Sequence, residues 1–561
     1  MRHPLLPVAA VALAACAAPS GPGTVSPEPA AIDAWLPCGF AAGLEADLRA
    51  LHDYAGSSDA FASSRPDRDE GGVAILHDRG DLVIRRNLFD LDGAGVRLAP
   101  NAAGGFEVGQ ASGAPGGPAT ALSMGAGEAR AVDLPFPFPF YGRAWTRAFV
   151  QSDGSVTFGA PDAGSAPAGL ARFLGGPPRA APFFTELDPS RGGGVSVELL
   201  SDTARVLWSE VPGASQTNRN TFELVLRADG ALEMRWAARM QTREAVVGIS
   251  PGGTGAVTPA DLSAGRPVGS GGALAERFSE TEKIDLVSAA RRFLATHADA
   301  FEQVVVYTTH PLNPVPGTLA FEINTRNEVG GIGLPDDLDV SAAWGSGGAL
   351  ASVVYMDSVD QYLEVDGFEI LGHEVGHRWL TRAAFRDAAG RASNALLGRG
   401  LSHWSFFFDS DASVLEGNRI EETSGGRFAT VDIARGFCSL DQYLMGLRAP
   451  EEVPPFFYVD EPDDFRPARA FKFSSGPEVG VSFTGTKREV RVEDVVAALG
   501  PRVPDARTAP HLLRHAFILV ADEVAPATRT RVQAVARIRS RFSPWYAAAT
   551  EQRGATDSSL R

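Results

Sequence analysis

The stretch Gly372-His373-Glu374-Val375-Gly376-His377 has the form H-E-x-x-H and lies in the C-terminal half of a chain of 561 residues. Two histidines four positions apart lie on one face of an α-helix, one turn from each other. Two imidazoles in this arrangement bind a single metal ion, and a glutamate next to the first of them acts on water at the metal. The motif therefore predicts His373 and His377 as metal ligands and Glu374 as a general base.

The residues around the motif predict the helix itself. Asp366, followed three positions later by Glu369, forms a capping-box pattern typical of a helix start. An apolar face at helical spacing follows and comprises Phe368, Leu371, Val375 and Trp379. Each glycine inside a helix costs roughly 1 kcal/mol relative to alanine. Gly372 and Gly376 therefore indicate that another part of the backbone passes close to this helix.

A third metal ligand is expected after the motif, because catalytic zinc sites have three protein ligands and one open position. Metzincins carry it six residues after the second histidine, but that position is Ala383 here, and no acidic residue lies between Asp387 and Asp409. His403 is the metal-binding side chain of that interval, and we predict it as the third ligand. The alternatives, which follow in an apparent hairpin, are Asp409, Asp411 and Glu416.

The elements that precede the motif favour an α+β domain over residues 275–561. Apolar positions at helical spacing predict a helix over 280–298, and the valine-rich residues 304–307 predict a buried strand. Further extended segments are expected at 319–323 and 351–356. A helix, strands and then an H-E-x-x-H helix is the order found in the upper half of a zincin metallopeptidase.

Residues 490–550 are predicted to form a mainly helical lower part of the same domain. His511 and His515 are also four positions apart. No glutamate stands between them, so we place them on a solvated helix face. Asp357 and Glu369 are candidate hydrogen-bond partners for the ligand histidines, which usually have such partners.

Three segments resemble a group of secreted bacterial zinc metalloproteases, a zincin group with a long insert between the second and third ligands. They are HEVGHRW at 373–379, HWSFFFDSDASVLEGN at 403–418 and LDQYLMG at 440–446. The resemblance implies one catalytic Zn²⁺ and a polypeptide substrate. It also implies that Met445 lies in a Met-turn beneath the metal, with an ordinary core methionine as the alternative. Tyr443 is a candidate donor to the transition state, or else a packing residue.

Residues 73–270 are predicted to form an all-β domain ahead of the catalytic domain. The tight-turn pair Asp229-Gly230 and the alternating apolar residues after it are typical of this class. Segments 134–158 and 175–188 resemble the nidogen-like extracellular β domain, which implies a β-sandwich with a binding or spacing role. The Gly- and Pro-rich residues 252–272 are expected to link the two domains.

Calcium is a second metal that the sequence admits, since carboxylate oxygens are its preferred ligands. Four acidic residues of the predicted β domain are candidates: Asp90, Asp92, Glu186 and Asp188. Ordinary solvated or turn-forming roles are the alternative for all four.

The first 16 residues resemble a bacterial lipoprotein signal peptide. A short basic start precedes the apolar residues 5–15, which end in the lipobox-like Leu13-Ala14-Ala15-Cys16. The resemblance implies cleavage before Cys16, lipidation of that cysteine and, with Ala17 after it, an outer-membrane location in a Gram-negative bacterium. An ordinary signal peptide that is cut elsewhere is the alternative. Residues 17–72 are predicted to form a tether and a helical segment.

The other two cysteines, Cys38 and Cys438, are predicted to form a disulfide. An exported protein meets an oxidising compartment, in which such pairs form and persist. The bond would join the N-terminal segment to the catalytic domain. A latent form with Cys38 bound to the metal is the alternative.

Composition limits the function classes. A net charge of −17 argues against binding to nucleic acid, and no later segment has the run of 18 or more apolar residues that predicts a transmembrane helix. We therefore expect an extracytoplasmic, lipid-anchored zinc metalloendopeptidase. Two alternatives are a surface-binding or adhesive lipoprotein with a vestigial protease fold, and a metallohydrolase that cleaves another type of bond. The intact Glu374 argues against the first, because a degenerate site usually loses its base first.

Overall fold

The computed structural model describes residues 65–102, 104–162, 168–214, 216–254, 257–264, 271–312, 319–464 and 471–561. The expected signal segment with Cys16, the helical segment predicted before residue 55, and Cys38 lie outside these residues. The chain divides into two compact units. One unit, here called the histidine unit, joins residues 65–77 to 293–561, and the other, the sandwich unit, comprises residues 78–292.

Strands account for most of the regular structure before residue 285. They are β1 (Arg68–Glu70), β2 (Val73–His77), β3 (Val83–Ile84), β4 (Gly95–Pro100), β5 (Phe106–Gln110), β6 (Thr120–Leu122), β7 (Ala129–Phe140), β8 (Arg143–Gln151), β9 (Val156–Phe158), β10 (Arg179–Phe184), β11 (Gly194–Leu199), β12 (Thr203–Val211), β13 (Asn220–Arg227), β14 (Leu232–Trp236), β15 (Glu244–Ser250), β16 (Val257–Pro259), β17 (Ala273–Ser279) and β18 (Lys283–Ile284). In the described part of this segment, one short helix, α1 (Leu170–Gly175), and a 3₁₀ turn at Pro189–Arg191 interrupt them.

The sandwich unit contains two seven-stranded sheets, in the orders β16-β17-β15-β10-β9-β8-β7 and β5-β4-β14-β13-β12-β11-β6. Strand β7 shows why they pack: every second side chain from Val132 to Phe140 is buried, as the two-residue period of a strand requires. Trp208 and Trp236 lie fully buried in the shared core. The predicted all-β domain is therefore present as a β-rich unit.

The boundaries of the two units differ from the predicted ones. The segment 252–272, expected to be a linker, contains β16 and leads into β17, which pairs with β15 inside the sandwich. Strand β2, expected to open the β domain, instead pairs in parallel with a strand of the histidine unit. A glycine-rich composition indicates turns, and turns join strands of one sheet as well as they join domains.

The histidine unit is built from further strands and helices. The strands are β19 (Gln303–Thr308), β20 (Phe321–Asn324), β21 (Arg326–Asn327), β22 (Leu338–Asp339), β23 (Ser352–Ser358), β24 (Phe385–Arg386), β25 (Ala392–Ser393), β26 (Phe408–Asp409), β27 (Asn418–Ser424), β28 (Arg427–Ile433), β29 (Phe456–Asp464), β30 (Ser482–Val490), β31 (Leu512–Ala521) and β32 (Ala555–Asp557). Helix α2 (Leu286–Leu294) begins in the sandwich unit and ends in the first residues of the segment 293–561. The other helices of the histidine unit are α3 (Phe368–Gly376), α4 (Ser439–Met445), α5 (Val492–Leu499) and α6 (Arg529–Ala549), with 3₁₀ turns at Ser341–Trp344, Val359–Tyr362, Arg399–Leu401 and Pro450–Glu452.

A mostly parallel sheet forms the centre of this unit, in the order β1-β2-β31-β19-β23-β20. Strands β2, β31, β19 and β23 run parallel, and β20 is an antiparallel edge. A separate set of five strands closes into a ring in the order β26-β27-β28-β30-β29. Phe406, Phe428 and Phe483 fill its core.

Strand β31 corrects one prediction. His515 lies in the middle of this strand, fully buried, whereas we expected it on a solvated helix face with His511. Burial lowers the pKa of His515 to about 3, so the ring is neutral. A central parallel strand is covered on both faces and is therefore apolar throughout, a pattern that periodicity does not separate from a buried helix.

Helix α3 lies against α6, and its glycines make this possible. A Cβ atom added to Gly372 would overlap the ring of Trp545, and one added to Gly376 would lie 3.0 Å from the Leu415 side chain. The close neighbours predicted from these glycines are therefore present, although they are side chains and not a second backbone.

Candidate metal centre

Helix α3 carries the first two histidines, but it begins differently from the prediction. Gly367, in the left-handed region at φ 62°, precedes its first turn, and no side chain caps it. Asp366 instead forms ion pairs with Arg537 and Arg541 of α6, so the capping-box prediction is wrong. The helix ends at Gly376, which places His377 at its C-terminal end.

The structure brings His373, His377 and His403 together. The Nε2 atom of His373 lies 3.0 Å from that of His377 and 3.2 Å from that of His403. All three side chains are buried, with at most 6% of any residue exposed. Among the described residues, this is the group of three or more potential ligands whose ligand atoms lie close enough together to hold one ion.

Backbone carbonyl groups orient the three rings. The Nδ1 atom of His373 lies 2.9 Å from the oxygen of Val414, that of His377 lies 3.2 Å from Leu380 O, and that of His403 lies 2.8 Å from Arg399 O. A carbonyl only accepts, so each Nδ1 carries the proton and donates it. Each Nε2 therefore presents a lone pair to the common centre.

This geometry fits a zinc ion. Zinc binds histidine nitrogen at about 2.0–2.1 Å with tetrahedral angles, which separates the nitrogens by roughly 3.3–3.4 Å. The measured separations of 3.0 and 3.2 Å are close to this value. Burial lowers the pKa of all three histidines, so the rings are neutral and their lone pairs are available.

Glu374 is buried beside this centre, with 3% of the residue exposed. Burial and, to a lesser extent, the nearby carboxylate of Glu322 on β20 raise the pKa of its carboxyl to about 8, whereas Arg399 opposes the shift. Arg399 and Glu416 both act on this carboxyl electrostatically, and both flank His403. The carboxyl of Glu374, the guanidinium of Arg399 and the three histidine rings therefore lie close together.

The alternative third ligands lie outside the histidine cluster. Glu416 comes nearest, with an oxygen 4.0 Å from His403 Nε2, but its carboxylate is held by Arg399. Asp409 accepts a hydrogen bond from the backbone N–H of Ile420. Asp411 is largely exposed, and its carboxylate lies 3.9 Å from the guanidinium of Arg419 on β27.

The predicted partners of the ligand histidines are not the ones observed. Asp357 is buried and accepts hydrogen bonds from Leu312 N, the Tyr355 hydroxyl and Gln361, so it holds a loop and not a histidine. Glu369 is exposed on the first turn of α3. Backbone carbonyl groups orient the rings instead. Every residue has such a group, so the sequence does not indicate which ones contact the histidines.

Asp441 on α4 forms hydrogen bonds to the segment that carries His403. Its buried carboxylate accepts hydrogen bonds from the Trp404 indole N–H at 2.9 Å, the Ser413 hydroxyl at 2.6 Å and the backbone N–H of Cys438 at 2.9 Å. Trp404 follows His403 in the chain, and Ser413 precedes Val414, whose carbonyl orients His373. One side chain thus holds two parts of the centre in place.

Three other predicted site residues belong to the core around α4. Tyr443 is buried, and its hydroxyl accepts a hydrogen bond from Arg502 N. Met445 ends α4 inside the same apolar core as Leu371 of the metal-motif helix, and its role in a Met-turn stays a prediction. Cys438 is buried and its sulfur accepts the N–H of Asp441; its pairing with Cys38, which lies outside the described residues, also stays a prediction.

Three of the candidate calcium ligands accept ordinary hydrogen bonds from backbone N–H groups. Asp92 accepts from Met240 N, Asp188 caps the 3₁₀ turn at Pro189–Arg191, and Glu186 accepts from Ala168 N. In the described residues, neither these three nor Asp90 belongs to a group with metal-ligand geometry.

Comparison with known proteins bears on the sandwich unit. A family model described as NIDO related matches residues 110–280, which supports a nidogen-like β domain in this part of the chain. No curated protein and no solved structure matches the chain. Within the described residues, no helix combines the length and the apolar character needed to cross a membrane.

Proposed function

We propose that the chain is a zinc-dependent metalloendopeptidase whose catalytic domain, the histidine unit of residues 65–77 and 293–561, is zincin-like. The observation that carries the proposal is the convergence of the three Nε2 lone pairs beside the buried carboxyl of Glu374. A partly parallel sheet whose antiparallel edge, β20, lies next to the motif helix is compatible with this fold.

In this proposal His373, His377 and His403 hold one Zn²⁺. An ion held by three neutral imidazoles supplies Lewis acidity, which lowers the pKa of water towards about 7, polarises a peptide carbonyl and favours the ionised form of Glu374. Glu374 takes the proton of the attacking water and passes it to the leaving nitrogen. The buried surroundings keep other water away from the carboxyl, so this transfer is directed.

The test compares the purified full chain with Glu374→Gln and with Glu369→Gln, an exposed glutamate of the same helix as matched control. We expect one zinc per chain in all three. Casein hydrolysis should fall by about 10²–10⁴-fold in Glu374→Gln, the usual contribution of a general base, and should not change in Glu369→Gln. His403→Ala should lose the metal.

Two results would contradict the proposal. Hydrolysis at the parent rate in Glu374→Gln would exclude this residue as the base. A parent chain that takes up no zinc and cleaves no casein would favour the surface-binding lipoprotein with a vestigial protease fold.

A further inference from the structure

Arg399 touches both ring nitrogens of His403. Its carbonyl accepts the Nδ1 proton at 2.8 Å, and its Nη2 atom lies 3.1 Å from Nε2, the nitrogen that faces the centre. The bridge between Leu397 and Trp404, and the 2.7 Å bond from Gly398 N to His403 O, fix the turn that carries both residues. The guanidinium therefore enters the centre from a tightly bound loop.

Glu416 holds this guanidinium. Its two oxygens lie 3.1 and 3.3 Å from Arg399 Nε, and one of them also makes a short contact with Nη2. The pair is largely buried, with 19% of the arginine side chain and 10% of the glutamate side chain exposed. An ion pair with several contacts of this kind fixes the direction of the remaining N–H groups of the guanidinium. A lysine in place of Arg399 would not have this fixed direction.

The guanidinium faces the same space as the base. Burial lowers the pKa of His373 and His403, and the positive charge of Arg399 adds to that effect. The same charge opposes the burial that raises the pKa of Glu374, so the guanidinium lies near all three groups. The Nη2 atom lies 3.1 Å from His403 Nε2, the nitrogen that would bind the ion, so an oxygen bound beside that ion would lie within reach of this N–H group.

We propose that Arg399 is a catalytic residue that donates a hydrogen bond to the oxygen on which negative charge develops, and that Glu416 is its positioning residue. This inference rests on the proposed function. When the lone pair of His403 binds a metal ion, it no longer accepts from Arg399. The same N–H group then donates to the substrate oxygen.

The step balances within the residues named. The water oxygen forms a bond to the peptide carbon, and its proton goes to Glu374. The π electron pair of the carbonyl moves to its oxygen, where Arg399 stabilises the charge. The electron pair on that oxygen then re-forms the carbonyl as the C–N bond breaks. The nitrogen leaves with the C–N electron pair and takes the proton that Glu374 held.

The test uses the full zinc-loaded chain, a fluorogenic peptide as substrate and a peptide phosphonate as a tetrahedral anionic inhibitor. In Arg399→Gln, kcat should fall by about 10²–10³-fold, the loss seen when one oxyanion donor is removed, while KM changes little. The affinity for the phosphonate should fall by a similar factor. Zinc affinity should be unchanged or higher, because the competing N–H group is gone.

Further variants separate positioning from structure. Arg399→Lys keeps the charge and should recover part of the phosphonate affinity. Glu416→Gln should lower kcat without raising KM, and in the double variant with Arg399→Gln its effect should disappear, because both act through one group. Arg391→Gln, on an exposed arginine paired with Asp387, is the matched control and should leave every quantity unchanged.

Three results would overturn the inference. Unchanged kcat and phosphonate affinity in Arg399→Gln, with tighter zinc binding, would mean that the arginine only covers the metal-free site. Loss of zinc in that variant would mean that it only supports His403. Fully additive effects of the two variants would exclude a positioning role for Glu416. Failure of the proposed function is distinct from these, since the parent chain itself would then be inactive.

Discussion

Each histidine of the candidate centre donates from one ring nitrogen to a backbone carbonyl and turns the other nitrogen towards the common centre. The Nε2 atoms of His377 and His403 lie 3.0 and 3.2 Å from that of His373, and lone pairs this close repel one another unless a cation lies between them. Carbonyl partners also fix the tautomer, so each ring is a ready ligand without rearrangement. The site is therefore defined as much by the carbonyls of Val414, Leu380 and Arg399 as by the histidines.

The buried carboxyl of Glu276 makes the stability of the sandwich unit depend on pH. Glu276, on β17, accepts from Leu262 N and from Asn87, yet burial raises the pKa of its carboxyl to about 7, above its ordinary 4.5. Between these values the unfolded chain releases the proton and the folded chain keeps it. The free energy of unfolding of the sandwich unit should therefore fall as pH rises from 4.5 to 7, by at most about 3 kcal/mol, and then level off.

Glu276→Gln should remove this slope. Urea unfolding, followed by tryptophan fluorescence at several pH values from 4.5 to 8, measures the slope. The amide of the variant has one acceptor fewer than the carboxylate and can change the free energy of unfolding at every pH, so the two proteins are compared by their slopes. Glu107→Gln, on an exposed position of β5, is a matched control that should keep the slope. Equal slopes in the parent and in Glu276→Gln would contradict the prediction.

At the scale of elements, helix α4 and the segment after His403 are joined by one carboxylate. Asp441→Ala removes the acceptor of Trp404, Ser413 and Cys438 N at once. Each buried donor left without a partner costs about 1–3 kcal/mol. Because the loosened residues adjoin His403 and Val414, zinc affinity should also fall, by about 10–100-fold, as when an outer partner of a metal ligand is lost.

Competition with a chromophoric chelator measures that affinity. Asp432→Ala, on a partly exposed carboxylate paired with Arg435, is the control and should leave zinc binding unchanged. An Asp441→Ala chain that is less stable but binds zinc as tightly as the parent would show that Asp441 supports the fold alone.

At the scale of the whole molecule, the histidine unit takes a strand from far upstream in the chain. Ile75 of β2 pairs with Leu519 of β31 and is fully buried in the same core as Leu371. A ligand that binds only the folded state stabilises the unit that contains its site. Zinc should therefore raise the melting temperature of the unit that includes β2.

Ile75→Ala should lower that same transition, by about 2–5 kcal/mol of unfolding free energy for a buried isoleucine. Ile249→Ala, equally buried in β15 of the sandwich unit, should lower the other transition. Calorimetry with and without zinc distinguishes the two. If Ile75→Ala shifted the transition that zinc leaves unchanged, β2 would not belong to the histidine unit.

The sequence by itself determined what depends on local spacing. The period of a helix places His373, Glu374 and His377 together whatever the rest of the fold does. Apolar alternation after Asp229-Gly230 indicates a strand, which is β14, and elimination within a short interval selected His403 as the candidate third ligand. The NIDO-related match over 110–280 agrees with the resemblance seen in the segments of the β domain.

Only the tertiary structure decided what depends on contacts between distant residues. It joined β2 to β31, buried His515 in a strand, and set Arg399 between Glu416 and His403. Such contacts arise from the packing of elements that are far apart in the chain, and a backbone carbonyl or a paired guanidinium carries no local pattern that would predict its partner. The residues of the motif could therefore be predicted from the sequence, whereas the groups that contact and orient them could not.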